Sequence, residues 1–109
     1  MITDPLQVDI TEPKPDQRIF TLIGAVTLNN LFSLKDKMHE LPALNSIIDL
    51  RQVSYMDSAG IGLLVSAQNI CTKAGKTLVV VGPNERVSAV LKHTRVDQAI
   101  HIVPEMPAN

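Results

Sequence analysis

Hydrophobic and polar positions near the start of the chain follow the two-residue period of β-strands. Polar and apolar residues alternate over residues 7–11, which predicts a half-buried strand, and residues 18–23 are predicted to form a second strand that ends at Gly24. Residues 12–16 are predicted to be a turn, because the two prolines in this segment cannot donate to a central ladder. The two strands are therefore expected to form a hairpin.

The rest of the chain predicts three helices that alternate with short apolar strands. The first helix is predicted from about residue 28 to 41 and ends at Pro42, the second from Ser58 to about Ala74 and ends at Gly75, and the third is capped by Asn84 and runs to about His93. Between and after them, buried strands are predicted at 47–50 and 78–81 and an edge strand at 99–103. The order β-β-α-β-α-β-α-β favours a single α/β domain over residues 1–109. We expect a mixed, mostly parallel sheet flanked by helices, with a short disordered tail at about 104–109.

Residue spacing assigns faces to two of the helices. The inner stripe of the first is predicted to be Leu31, Phe32, Leu34, Met38 and Leu41. In the second, a step of about 100° per residue places Gly60, Leu63, Leu64, Ala67, Ile70, Cys71 and Ala74 against the sheet. The opposite face holds Ser58, Ile61, Gly62, Val65, Asn69, Thr72 and Lys73. On that face, Ile61 and Val65 are either an exposed docking pair beside Ser58 or are covered by another helix, and the spacing leaves both possibilities open.

The turn Asp57-Ser58-Ala59-Gly60 joins a predicted strand to a predicted helix. Asp and Ser are both strong N-caps, so capping alone can account for them. One cap would suffice, however, and Gly60 and Gly62 would allow the backbone to approach a bound group at the carboxyl end of a strand. We expect the Ser58 hydroxyl to be exposed beside free backbone N–H groups at the positive end of the helix dipole. That is a favourable place for a phosphate.

Charge and composition argue against several other functions. Ten basic and eleven acidic residues give a net charge of −1 with no basic stripe, which leaves nucleic-acid binding without an electrostatic basis. The single cysteine, Cys71, cannot form an internal disulfide, and the absence of a signal peptide predicts a cytoplasmic protein. No metal site, cofactor or hydrolytic serine is predicted. The three histidines, His39, His93 and His101, lack metal-ligand spacing, and none is expected near Ser58.

The ten residues from Tyr55 to Leu64, YMDSAGIGLL, closely resemble the signature of the STAS domain, in particular that of bacterial anti-sigma-factor antagonists. The similarity extends to residues 47–50, 75–81 and 88–102. It implies a regulatory binding protein that takes part in transcription regulation and signal transduction by partner switching, and not an enzyme. In this family the unphosphorylated antagonist binds an anti-sigma factor, which is also a serine kinase of histidine-kinase-like ATPase fold, and thereby releases a sigma factor.

The resemblance also implies how the antagonist is regulated. The phosphorylated serine of the family follows the motif aspartate and maps onto Ser58, which makes this chain an expected phosphoprotein. A phosphatase, usually of the PP2C type, resets the antagonist. Ala59 stands where many members have a second hydroxyl, so Ser58 is the only acceptor in the turn.

Partner contacts are expected to centre on the motif and on the outer helix face, namely Asp57, Ser58, Ala59, Gly60, Ile61, Gly62, Val65 and Asn69. Ala25, Val26 and Thr27 replace a common acidic residue, leucine and aspartate, and Thr94-Arg95 replaces a common threonine-glycine pair. These differences concern the identity of the partner more than the fold. The alternative function is that of a STAS scaffold subunit in a signalling complex, or of the soluble STAS component of a lipid transporter. A nucleotide-binding or hydrolysing enzyme is a third possibility, although the chain has no P-loop.

Overall fold

The computed structural model of this chain describes residues 6–107. The described residues form β1 (Gln7–Lys14), β2 (Gln17–Val26), α1 (Phe32–Glu40), β3 (Asn45–Met56), α2 (Ser58–Lys73), β4 (Leu78–Val81), α3 (Glu85–His93) and β5 (His101–Val103), with one 3-10 turn at Val96–Gln98. The predicted order of strands and helices is confirmed. Residues 104–107 of the predicted tail belong to the described part, whereas 108 and 109 lie outside it.

The five strands form one sheet in the order β1-β2-β3-β4-β5. β1 is antiparallel to β2, and the other three pairings are parallel, so the predicted mixed and mostly parallel sheet is confirmed. Each helix connects a strand to its next neighbour in the same direction across the sheet. Because such crossovers are right-handed, α1, α2 and α3 all pack on the same face.

The hydrophobic core lies between that face and the three helices. It is almost wholly aliphatic, and alternate residues of each strand point into it. The strands contribute Phe20, Leu22, Ile48, Leu50, Leu78 and Val80, and the helices contribute Leu34, Leu64, Ala67, Cys71, Val87 and Leu91. The predicted inner face of α2 is confirmed for Gly60, Leu63, Leu64, Ala67 and Cys71. Ile70 is half-buried, and Ala74 is exposed because α2 ends at Lys73.

The β1–β2 hairpin is confirmed, but its turn is shorter than predicted. Residues 15 and 16 form the turn, and β1 continues through residues 12–14 with a register irregularity after Thr11. The prediction of a turn over all of residues 12–16 is therefore wrong. The physical reason is that β1 lies at the edge of the sheet, where Pro13 has no second neighbour to which it must donate.

The first helix also begins later than predicted. Residues 28–30 form a turn in which the N–H groups of Asn30 and Leu31 both donate to the Thr27 carbonyl, at 3.1 Å each. Leu31 and Leu34 are buried as predicted, but Phe32 is 58% exposed, so its assignment to the inner stripe is wrong. One residue after Leu31 the helix has turned by about 100°, which points Phe32 away from the sheet.

Candidate functional site

Asp57 is the N-cap of α2, and its carboxylate connects two parts of the chain. Its Oδ1 accepts hydrogen bonds from the N–H groups of Ala59 (3.0 Å) and Gly60 (3.1 Å). Its Oδ2 accepts a third bond from the N–H of Leu28, at 3.1 Å, in the segment between β2 and α1. Asp57 therefore stabilises the start of α2 and also fixes the neighbouring segment against it.

Ser58 is the first residue of α2, and its side chain is exposed. Within residues 6–107, no hydrogen bond involves the Ser58 hydroxyl. Because Asp57 supplies the cap, capping does not account for the serine. The expectation of free N–H groups beside this hydroxyl is wrong for Ala59 and Gly60, since the Asp57 carboxylate already accepts from both.

The two glycines of the motif have different environments. A Cβ on Gly60 would lie 2.9 Å from the Val26 carbonyl oxygen and would overlap the Met56 side chain. Gly60 is therefore required for the close packing of α2 against the ends of β2 and β3. A Cβ on Gly62 would have no heavy atom within 4 Å, so nothing in the fold requires a glycine there.

The outer face of α2 carries Ser58, Gly62, Val65 and Asn69, and all four are exposed. The possibility of an exposed Ile61–Val65 pair is confirmed for Val65, which is 39% exposed, and wrong for Ile61, which is 6% exposed and belongs to the core. Ile61 and Val65 are four residues apart, which is about 40° around the helix, and Ile61 is the one nearer the packed face. The role of these residues in binding a partner remains a prediction.

Four large apolar residues are notably exposed in the described part of the chain: Leu28 (58%), Phe32 (58%), Tyr55 (40%) and Val65 (39%). Leu28 and Phe32 line an open groove between the start of α1 and α2, together with Ala59 and Gly62. Tyr55 is the penultimate residue of β3, three positions before Ser58. We call the side chains of Leu28, Phe32 and Val65, with Ser58 and Gly62, the Ser58 surface.

Sequence reasoning missed Leu28 and Phe32 as members of this surface. The helical spacing that assigned Phe32 to the core was the misleading signal. Thr27 and Asn30 are the kinds of residue that form a turn before a helix. A helix placed after this turn would not have assigned Phe32 to the core. In the structure the Asn30 side chain does accept from the Thr27 N–H, at 3.0 Å.

Two cations lie beside exposed apolar side chains of the described residues. The guanidinium carbon of Arg86, in the first turn of α3, lies 5.3 Å from the centre of the Tyr55 ring, a cation–π geometry. Lys35 of α1 lines the groove beside Phe32. The groove of the Ser58 surface is thus apolar, with the positive charge of Lys35 beside it.

Residues 6–107 contain no group of three or more His, Cys, Asp or Glu side chains that could hold a metal ion. Their helices are too short or too polar to cross a membrane. Cys71 is buried in the core, and His39, His93 and His101 lie in the last turns of α1 and α3 and in β5.

Comparisons with known proteins identify the family and the fold of this chain. A family model described as "Mlab, STAS domain" matches residues 10–104. An anti-sigma-B factor antagonist from Staphylococcus epidermidis is 33% identical over 55 residues, which is 50% of this chain and 51% of the relative. The chain therefore matches about half the length of such curated relatives.

Solved structures share the fold at low identity. An anti-sigma factor antagonist from Mycobacterium paratuberculosis has a TM-score of 0.81 and 15% identity, over 93% of this chain and 87% of that chain. The Bacillus cell fate determinant SpoIIAA in its phosphorylated form has a TM-score of 0.72 and 14% identity, over 89% and 91% of the two chains. These likenesses show the fold alone. Because the family model covers most of the sequence, and because the fold agrees with it, this chain belongs to the STAS domain family.

Proposed function

We propose that this chain is an anti-sigma-factor antagonist controlled by phosphorylation of Ser58. In its unphosphorylated form it binds an anti-sigma factor that is also a serine kinase of histidine-kinase-like ATPase fold, and a sigma factor is released. The observation that carries the proposal is the exposed Ser58 hydroxyl, which makes no hydrogen bond within residues 6–107 at a helix start that Asp57 already caps. The anti-sigma-B factor antagonists among its relatives support the class of partner.

The Ser58 surface suits a protein partner that is itself partly apolar. Leu28 and Phe32 expose more than half of their area, and the backbone at Gly62 is open between them and Val65. Apolar area that a partner removes from water contributes roughly 25 cal/mol per Å² before the costs of association. Contacts with Asp57, Ala59, Gly60, Ile61 and Asn69 would then supply shape and hydrogen bonding around this apolar centre.

Phosphorylation would change this surface without unfolding the domain. A phosphate on Ser58 adds a charge of about −1.5 to −2. The N–H groups of Ala59 and Gly60 are already bonded to Asp57, so they are not free to neutralise it. The dianion would stay hydrated beside a carboxylate, and burying it against an apolar partner would be costly. The fold of the phosphorylated SpoIIAA relative is consistent with a domain that accepts the modification.

The proposed protein is a cytoplasmic binding protein of bacteria and not an enzyme. A PP2C-type phosphatase would remove the phosphate and restore binding. In the first step of the test, native chain and Ser58→Ala are used as baits, and the captured anti-sigma factor is purified. Intact mass of the native bait then shows whether Ser58 carries phosphate.

The second step measures affinity for the purified partner by calorimetry. We expect Ser58→Ala to bind as tightly as the unphosphorylated native chain and to resist phosphorylation with ATP. Ser58→Glu is expected to bind at least tenfold more weakly. Thr72→Glu is the matched control: it adds the same charge to an exposed residue of α2 about 21 Å further along the helix, so its affinity should be unchanged.

Two outcomes would overturn the proposal. Equal affinity of Ser58→Ala and Ser58→Glu would refute the phosphorylation switch. Stable co-purification with the subunits of a transporter, together with an unmodified Ser58, would instead favour the scaffold or lipid-transporter role.

A further inference from the structure

The second face of the sheet has an unusual cover. Since α1, α2 and α3 share one face, no helix formed by residues 6–107 packs on the other. Strand register places two rows of side chains on that helix-free face. They are Ile19, Ile47, Val79 and His101 in one row and Thr21, Asp49, Val81 and Val103 in the other.

Residues at the centre of the helix-free face are as buried as the core. Ile47 is 5% exposed and Val81 is 0% exposed, yet neither belongs to the core cluster between sheet and helices. Asp49, in the same row as Val81, is 3% exposed. An open sheet face would leave such side chains in water, so another part of the chain must cover them.

Residues 104–107, which we call the strap, provide the apolar part of this cover. Met106 is half-buried, and with Pro107 it lines a groove whose floor includes Ile19 and Ile47. The strap begins where the Val103 carbonyl accepts a 2.8 Å hydrogen bond from the N–H of Gly82. It thus leaves the sheet at β5 and returns across the helix-free face to β3 and β2.

Arg51 provides the polar part of the cover. Its guanidinium donates to both oxygens of Asp49, at 3.0 and 2.8 Å, and so satisfies the buried carboxylate. A Cβ on Gly82 would overlap the aliphatic stem of Arg51 and lie 3.2 Å from the Pro104 carbonyl oxygen. Gly82, with φ of 61°, therefore brings the Arg51 stem and the base of the strap together.

We propose that the strap is a reversible cover, and that it holds closed a second apolar surface formed by Ile19 and Ile47. The occupant of this surface is the chain's own residues 104–107. Within the described residues the strap is held by the bond at its base and by the half-buried Met106, and it forms no part of the sheet ladders. It can therefore open while the five strands stay paired, as segments with few buried contacts do. This surface is separate from the Ser58 surface, and the inference does not depend on the proposed function.

Thiol accessibility tests the strap directly. Ile47→Cys in a Cys71→Ala background places a single thiol beneath the strap, and its reaction with Ellman's reagent is followed under native conditions. We expect Met106→Ser to increase the labelling rate at position 47 at least tenfold, because it removes the apolar anchor. Met106→Leu conserves volume and hydrophobicity and is expected to leave the rate within about twofold.

The native Cys71 is the internal control. It is buried on the helix side of the sheet, so its labelling in the otherwise native chain reports opening of the core. Met106→Ser should leave this rate unchanged. If Ile47→Cys does not fold, Ile19→Cys probes the same groove. An unchanged rate at the probe position would overturn the proposal. An equal acceleration at Cys71 would also do so, because it would mean that Met106 stabilises the whole domain.

Discussion

Gly62→Ala is expected to stabilise the fold even though Gly62 lies in the proposed docking surface. A glycine inside a helix costs up to about 1 kcal/mol relative to alanine. The added methyl group would meet nothing within 4 Å, so no steric penalty offsets the gain. For a domain of this size, a gain of about 1 kcal/mol raises the Tm by about 4 °C.

Gly60→Ala, the same substitution two residues earlier, is expected to have the opposite effect. Its methyl group would lie 2.9 Å from the Val26 carbonyl oxygen, a backbone atom that cannot rotate away. Overpacking of this kind costs about 1–3 kcal/mol, which exceeds the gain in helix propensity. The two variants therefore separate a glycine that packing requires from one that packing does not.

Urea denaturation followed by circular dichroism at pH 7 measures both effects, and calorimetry with the proposed anti-sigma-factor partner measures binding. If Gly62 allows a partner's backbone to approach, Gly62→Ala should be more stable and yet bind at least tenfold more weakly. A lower urea midpoint for Gly62→Ala would refute the argument that a methyl group at position 62 carries no steric penalty. A more stable variant with unchanged affinity would remove Gly62 from the partner interface.

Three further predictions concern individual contacts. Asp57→Ala should cost about 2 kcal/mol in urea denaturation, because it removes the cap of α2 and the bond to Leu28, and Asp57→Asn should cost less because one acceptor oxygen remains. Hydrogen bonds from Arg51 hold the pKa of Asp49 below its ordinary value of 3.8. The stability that Asp49 contributes is therefore complete above pH 3.8 and is lost as pH falls through the folded pKa. The difference in free energy of unfolding between the native chain and Asp49→Asn should therefore be constant from about pH 7 to 5 and shrink towards about pH 2. Arg95, with φ of 62°, has a left-handed backbone, and Arg95→Gly should raise the free energy of unfolding by about 1 kcal/mol, whereas an unchanged or lower value would show that no strain is stored there.

Local sequence signals predicted the elements whose determinants are themselves local. β4 occupies the predicted residues 78–81, and the Asn84 side chain accepts from the Val87 N–H at 2.8 Å, as expected of a helix cap. The hairpin turn was predicted wrongly because a proline's effect depends on whether its strand is central or at the edge. That position is a property of the assembled sheet, and a single sequence does not specify it.

The candidate site was predictable in its chemistry but only partly in its shape. The Asp-Ser turn at the start of a helix followed from residue types and spacing. Exposure of Leu28 and Phe32 and burial of Ile61 depend on how α1 and α2 sit on the sheet. The bond between Asp57 and Leu28 joins residues 29 positions apart, so no local pattern could indicate it.

The adjacency of Asp57 and Ser58 now has a physical explanation. A hydroxyl that served as the cap would be bonded to the helix start, and a phosphate added to it would disrupt the contacts that hold α2 in place. In this chain Asp57 makes those contacts, to Ala59, Gly60 and Leu28. Ser58 can therefore gain or lose a charge of about two units while the helix start keeps its hydrogen bonds. The proposed phosphorylation switch would use this division between a residue that stabilises and a residue that changes. Asp57→Ala tests this division of roles, because the variant should lower the free energy of unfolding whether or not Ser58 is phosphorylated.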